Sequence, residues 1–450
     1  MSDELLTTDE AQAFLDAHPT VEWIDLLLFD LNGIARGKRI RRADLLSAAH
    51  SGIMLPASVF IMDPRGNCIE ETGRLWETGD PDLPCRLLAG TLRPVPVGAH
   101  RHAQAVIAID NGKDVCDPRA VLAEQVERFS ADGFTPVAAL ELEFYVTASV
   151  NGEARICPPA GVSDDPERPM TFGFDDMDAL APFIDDIYRI AEAQGLPVDA
   201  VIQESGPGQF EINLKHRPDP VAAALDALLL KRAVKAAAGA NGIGATFMSK
   251  PHHDWCGSGM HVHLSLLDSA GRNVFTGHPI SPLCRHAIAG LQATMADFMA
   301  IWAQTANAYR RYVPKSYVSL APHWGFNNRT VALRIPGNGH AAATRIEHRV
   351  AGADANPYLV VAAILAGIRH GIAKRIDPSP PTEGNAEEID APPLPTAWIN
   401  ALEKFEKSAV VRDAFGAGFQ DVYQRLKTVE RTNFERIVTS LDHLWYSQVA

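Results

Sequence analysis

Cysteine is scarce and scattered: Cys68, Cys85, Cys116, Cys157, Cys256 and Cys284 are the six in 450 residues, with no CxxC pair. That spacing fits reduced thiols better than a disulfide frame or a zinc site, so a cytoplasmic protein is expected. Positive charge is short as well. The 41 lysines and arginines face 55 aspartates and glutamates, a net charge of −14. This argues against nucleic acid as a partner, because phosphate binding needs a basic surface. No apolar run approaches the roughly 18 residues of a membrane span. The opening MSDELLTTDEAQAFLDAHP is acidic and amphipathic, unlike a secretory signal. GANGIG lacks both the order of a GxGxxG loop and a P-loop lysine. No internal repeat is visible.

What is present is a 46% hydrophobic chain, long enough for a small domain and a large one. In VEWIDLLLFDLNGIARGKRI two apolar runs flank Asn32-Gly33, which accepts the positive φ of a tight hairpin turn. At Asp117-Pro118 a helical pattern begins, with Val121, Leu122, Val126 and Phe129 on one face and a stop at Gly133. A domain boundary is therefore expected near residue 113, dividing a β-rich unit at 1–112 from a larger domain at 113–450. A second helix is expected from Asp219-Pro220 to Asn241-Gly242. The proline-rich acidic stretch Ile376 to Pro395 reads as an exposed loop between helices.

Strand patterning supplies the chemistry. In VAALELEFYV, Glu141 and Glu143 share one face and Leu142 and Phe144 the other. GSGMHVHLSL does the same with His261 and His263, and RIEHRV with Arg345, Glu347 and Arg349. ESGPGQFEINL adds Glu204 and Glu211 at the ends of a Gly-Pro-Gly turn. Taken singly, an ExE pair is more often a solvated strand face and an HxH pair more often two satisfied core or surface histidines. Gathered in one cleft, these carboxylates repel each other by several kcal/mol per pair at about 4 Å, so a cation must sit among them. Carboxylate and imidazole donors without thiolate suit Mg²⁺ or Mn²⁺. Arg311, Arg329, Arg334, Arg345 and Arg349 would hold anionic groups. Cations, carboxylates and arginines together point to phosphoryl transfer from a nucleotide.

In order and spacing, ELEFYV, ESGPGQFEINL, FMSKPHHDWCGSGMHVHLSL, NAYRRYVP, NNRTVALRIP and RIEHRVAGADANPYL resemble the type I glutamine synthetase family, over essentially the whole chain. The resemblance implies an α+β fold: a β-grasp N-terminal domain, and a catalytic domain with an antiparallel sheet ringed by helices. It also implies a homo-oligomer, a dodecamer of two hexameric rings with active sites between subunits. Two metal sites follow from it, Glu143, Glu204 and Glu211 for the first and Glu141, His261 and Glu347 for the second. His263, Ser265, Arg334 and Arg345 match ATP contacts. Gly257, Arg311, Arg329 and Arg349 match positions that hold glutamate, the three arginines also serving the migrating phosphoryl group. The implied chemistry is formation of γ-glutamyl phosphate from ATP and glutamate, followed by capture with an amine.

The departures concern the amine. Ammonia-using members carry an aspartate in an FDGSS segment and a glutamate in the loop after NSYKRLVP. Here LPASV puts Pro56 at the first place, and Lys315 to Pro322 holds no acid. Cys256 stands where ammonia-using enzymes have an asparagine against glutamate. The Ile376 to Pro395 loop has no tyrosine to be adenylylated. The segments DLNGIARGKRI and LPASVFIMD are most similar to the γ-glutamylpolyamine (γ-glutamylputrescine) synthetase branch, so glutamate and a primary amine are the expected substrates. An ordinary glutamine synthetase, a catalytically silent scaffold or sensor, and a guanidino kinase are the alternatives. Kinases of that kind share the catalytic fold but lack the ExE and HxH pairs.

Overall fold

The computed structural model describes residues 4–98, 101–110, 114–150, 153–165, 171–337 and 343–449. Its first sheet is built from β1 (Trp23–Phe29), β2 (Ala35–Arg41), β3 (Ile53–Pro56), β4 (Asp82–Leu87), β5 (Arg93–Val95) and β6 (His102–Ile109). The order is β2-β1-β6-β4-β3, with β5 beside β6. β1 runs parallel to β6 while the other pairs are antiparallel, which is a β-grasp arrangement.

Asn32-Gly33 makes the expected turn. Phe29 pairs with Ala35, and Gly33 takes a φ of 72°. The Asp30 carboxylate accepts from the backbone N–H groups of Asn32 and Ile34. The tip is also sewn to the rest of the molecule: Asn356 Nδ2 donates to the carbonyls of Asp30 and Leu31, and fully buried Lys427 donates to the Asn32 side chain. The helix Pro118–Ala131 starts on an Asp117 cap and buries Val121, Leu122, Val126 and Phe129. The boundary expected near residue 113 lies outside the described residues.

The second sheet contains β7 (Thr135–Val150), β8 (Glu153–Arg155), β9 (Val198–Gln203), β10 (Gln209–Leu214), β11 (Gly244–Thr246), β12 (Met260–Leu267), β13 (Trp324–Phe326), β14 (Leu333–Ile335) and β15 (Ile346–His348). Its order is β13-β14-β15-β12-β7-β10-β9, with β8 and β11 on β7, and only the short β13–β14 pair is parallel. One face is covered. Leu140, Leu142, Phe144, Phe210, Met260, Val262 and Leu264 are buried under helices that include Pro220–Ala240, which Asp219 caps as expected. No helix among the described residues is long and apolar enough to cross a membrane. The loop from Ile376 to Pro395 is mostly exposed and joins helices Pro357–Lys374 and Trp398–Lys407. It is not loose, since Thr382 N–H donates to the Trp324 carbonyl at 2.7 Å and Trp324 Nε1 to the Ser379 carbonyl at 2.7 Å.

Candidate active site

The uncovered face of the second sheet carries the charged residues, and strand register decides which of them meet. Glu211 on β10 lies opposite Glu143 on β7, Glu141 on β7 opposite His261 on β12, and His263 on β12 opposite Glu347 on β15. Arg334 on β14 faces Glu347 from the other side. A one-residue slip in any pair would turn a charged side chain into the apolar core, so the buried face fixes the register of the polar one.

Glu143, Glu204 and Glu211 place carboxylate oxygens within 4.8 Å of one another. Glu204 reaches them from the turn after β9. Two further groups of the same span share Glu141: with Glu211 and His261, and with His263 and Glu347. Among the described residues, Glu141, His261 and Glu347 do not gather as a single set. Glu347, almost fully buried, is held instead by Arg334 at 2.7 Å and by Arg349. His263 links the two halves. Its Nδ1 accepts from Arg345 Nε at 2.9 Å, which leaves the proton on Nε2 to donate to Glu141 at 2.8 Å.

The electrostatics are one-sided. Burial pushes the Glu211 carboxyl up to about 9, and the charges of Glu141 and Glu143 add to it. Burial and Glu143 bring Glu204 up to about 7. Glu141 and Glu347 go the other way. Burial opposes their ionisation, but hydrogen bonds from His261 and His263 outweigh it for Glu141, and Arg349 with the histidines does so for Glu347. A pocket in which two carboxyls resist ionising near neutral pH lacks positive charge at that end. Oxygen donors with an imidazole fit a hard divalent cation there.

Arginines line the cleft beside the carboxylates. Arg311 donates to the carbonyls of Val350 and Ala351, and Arg334 to Glu347 and Asn327. The buried Nε–H groups of Arg311, Arg334 and Arg349 have no hydrogen-bond partner among the described residues, and all three residues line the cleft. Arg329 is exposed at the mouth of the cleft. The cavity measures about 390 Å³ and is lined by Glu141, Glu143, Glu204, Glu211, Gly257, His261, Arg311, Arg329, Arg334, Glu347 and Arg349. His263, Ser265 and Arg345 do not line it. They sit farther along the sheet, His263 and Ser265 on β12 and Arg345 just before β15.

Gly257 is required by its neighbour. A Cβ there would lie 2.6 Å from Cγ of Arg311 and 3.0 Å from the Ser249 carbonyl. Three supports were not singled out from the sequence although all lie in the quoted segments. The Tyr145 hydroxyl donates to the Cys256 carbonyl at 2.8 Å and lies 3.1 Å from Gln209 Oε1, and Gln209 Nε2 donates to the Gly257 carbonyl at 3.1 Å. Gly259 N–H donates to Glu143 at 2.6 Å. Tyr145 shares the face of Glu141 and Glu143 and lies opposite Gln209 on β10, but alternation assigns only a face and not the contacts that its hydroxyl makes.

Comparison with known proteins agrees with this geometry. The family model for the glutamine synthetase catalytic domain matches residues 115–446. The γ-glutamylputrescine synthetase PuuA of Escherichia coli (strain K12) is 39% identical over 447 residues, 97% of this chain and 94% of that protein. A glutamate–isopropylamine ligase of a Pseudomonas species is 32% identical over 436 residues, 93% of each chain. Among solved structures, "Apo GmaS without ligand" matches with a TM-score of 0.84 at 24% identity, covering 98% of this chain and 99% of that one, a likeness of fold. By the match to the catalytic-domain model and the identity to PuuA along nearly its whole length, this chain belongs to the glutamine synthetase family.

Proposed function

We propose that the chain is an ATP-dependent ligase joining the γ-carboxylate of glutamate to a primary amine, with putrescine or another polyamine as the best-fitting class, in amine catabolism. One observation carries the choice. The charged face of the catalytic sheet is intact, while the places where ammonia-using members keep carboxylates hold Pro56 on β3 and the acid-free run Lys315 to Pro322. Ammonium is small and strongly hydrated, so a site without fixed carboxylates neither replaces its water nor takes its proton. An alkylamine gains roughly 0.8 kcal/mol per buried methylene instead. The relatives support the same class, since two of them are named for glutamate ligation to putrescine and to isopropylamine.

In this reading Arg311, Arg329 and Arg349 orient glutamate and receive the charge of the migrating phosphoryl group, while Arg334, Arg345, His263 and Ser265 hold ATP. Oxygen of the γ-carboxylate attacks the γ-phosphorus and the bond to ADP breaks; the neutral amine nitrogen then attacks the acyl carbon, the bond to phosphate breaks, and the departing phosphate takes up the proton that the nitrogen sheds. Glu143, Glu204 and Glu211, and Glu141 with His261 and Glu347, would hold Mg²⁺ or Mn²⁺, at least two per site. Bound there, the cations offset the phosphates' negative charge.

The proposal includes a β-grasp domain at 1–112, a catalytic domain at 113–450, action in the cytoplasm and a homo-oligomer, a dodecamer of two hexameric rings with shared sites. Support for self-association comes from the C-terminal stretch, where Phe434, Ile437, Val438, Leu441, Leu444, Trp445, Tyr446 and Val449 are all exposed in the single chain. The test of function is glutamate- and ATP-dependent ADP release with a panel of amines, the γ-glutamyl amide being identified by mass. Putrescine or a related primary amine should outrun ammonium at equal concentration. Ammonium outrunning every amine would reject the amine assignment.

A further inference from the structure

Tyr317 and Arg329 each line two cavities: the catalytic cleft and an outer groove of about 640 Å³ that continues from it. Tyr317 stands between them in an unusual posture. It takes a φ of 56° two residues after Lys315 at 61°, a conformation that is strained for a bulky side chain. The loop is held there, since Lys315 N–H donates to Glu387 at 2.7 Å and the next residue, Val318, is buried. Yet the strained backbone hides nothing, because Tyr317 is 70% exposed.

The groove beyond is half apolar. Phe326, 39% exposed and set edge-on against Trp324, forms a second aromatic wall. Of the lining residues only Arg329 and Glu383 are charged. Arg329 serves the anionic substrate under the reading above, so Glu383 is the charge left to the far end. Its position is built rather than loose. Asn328 Nδ2 donates to the carbonyls of Thr382 and Gly384, at 3.3 and 2.8 Å, and Ala386 N–H donates to Thr330 Oγ1 at 3.0 Å. Glu383 itself forms no ion pair among the described residues.

Aromatic walls followed by a lone carboxylate complement a methylene chain that ends in a cation. We propose that Tyr317, Phe326 and Glu383 form the subsite for the carbon chain and distal ammonium of a diamine whose near nitrogen reacts in the cleft. This rests on the ligase reading and names its amine more closely. It also supplies the acid that the Lys315 to Pro322 loop lacks, from the loop Ile376 to Pro395.

Steady-state ADP release by the full-length protein with ATP, glutamate and Mg²⁺ tests it, comparing putrescine with butylamine, which shares the carbon chain but lacks the second ammonium. The wild type should prefer putrescine. Glu383→Gln should raise the KM for putrescine about tenfold and that for butylamine less than about twofold, while Glu383→Lys should reverse the preference. Tyr317→Ala should raise both KM values, because both amines pass the ring. Equal effects of the Glu383 changes on the two amines, or a wild type that prefers butylamine, would overturn the subsite and leave the ligase standing. No turnover with any amine would bring down both. Glu383 is on the surface, so a circular-dichroism spectrum like the wild type's is expected for each variant.

Discussion

On the floor of the cleft, β10, β7, β12 and β15 set carboxylates and imidazoles in register, so Glu211 meets Glu143, Glu141 meets His261 and His263 meets Glu347 as strand partners. At the mouth, the positioning is done by loops: Tyr317 by a strained turn, Glu383 by side-chain bonds to the backbone around it, and Gly257 by the Gln209 amide. The two constructions suit two tasks. Phosphoryl transfer needs charges fixed within a fraction of an ångström, which a pleated sheet supplies. Amine choice needs a surface that can change without disturbing that sheet, and loops on a rigid scaffold allow it.

The comparison breaks most visibly on the floor. Glu143→Ala should lower turnover by about a thousandfold, as should chelation with EDTA, because the charge that balances the phosphoryl group is misplaced or gone. Initial rates alongside a circular-dichroism spectrum check it, and full activity in EDTA would rule the cation out. At the junction of floor and mouth, Gly257→Ala should raise the KM for glutamate by up to about a hundredfold, since the new Cβ displaces Arg311 by the order of 1 Å. Tyr145→Phe should be milder, about tenfold in the same constant, for the loss of the hydroxyl that holds the Cys256 carbonyl.

The smallest expected effect is on stability. Glu204 and Glu211 have folded values of about 7 and about 9, above the roughly 4.3 of an unfolded glutamate. The folded state therefore holds their protons more tightly. Its advantage is complete below about pH 4 and is lost as pH rises through 7 and then 9. Metal-stripped protein should accordingly melt a few degrees lower toward pH 9 than near pH 6, with Mg²⁺ restoring more at the alkaline end. A melting temperature that is flat with pH without metal would remove the charge imbalance from the account.

The floor was legible in the sequence because period two does the placing. Once Leu140, Leu142 and Phe144 are assigned to the core, Glu141 and Glu143 have one face left. The hairpin at Asn32-Gly33 and the Asp117 and Asp219 caps were legible for a similar reason, each being a local backbone requirement met by a local residue. The mouth was not. Glu383 lines the same groove as Tyr317 from a segment far along the chain that Asn328 and Thr330 tie in place, and no periodicity connects a proline-rich loop with a turn after Arg311. Alternation likewise put Glu347 on the right face without showing that Arg334 and Arg349, rather than His261, would grip it.

Hydroxylamine trapping separates floor from mouth most directly, because this small nucleophile is largely uncharged at neutral pH and needs no ammonium site. With ATP, glutamate and Mg²⁺, γ-glutamyl hydroxamate should form in the wild type, and in Tyr317→Ala at a rate within a few-fold of it, since the acyl phosphate is made on the floor. Glu143→Ala should form about a thousandfold less. Hydroxamate at the wild-type rate from Glu143→Ala would contradict the account.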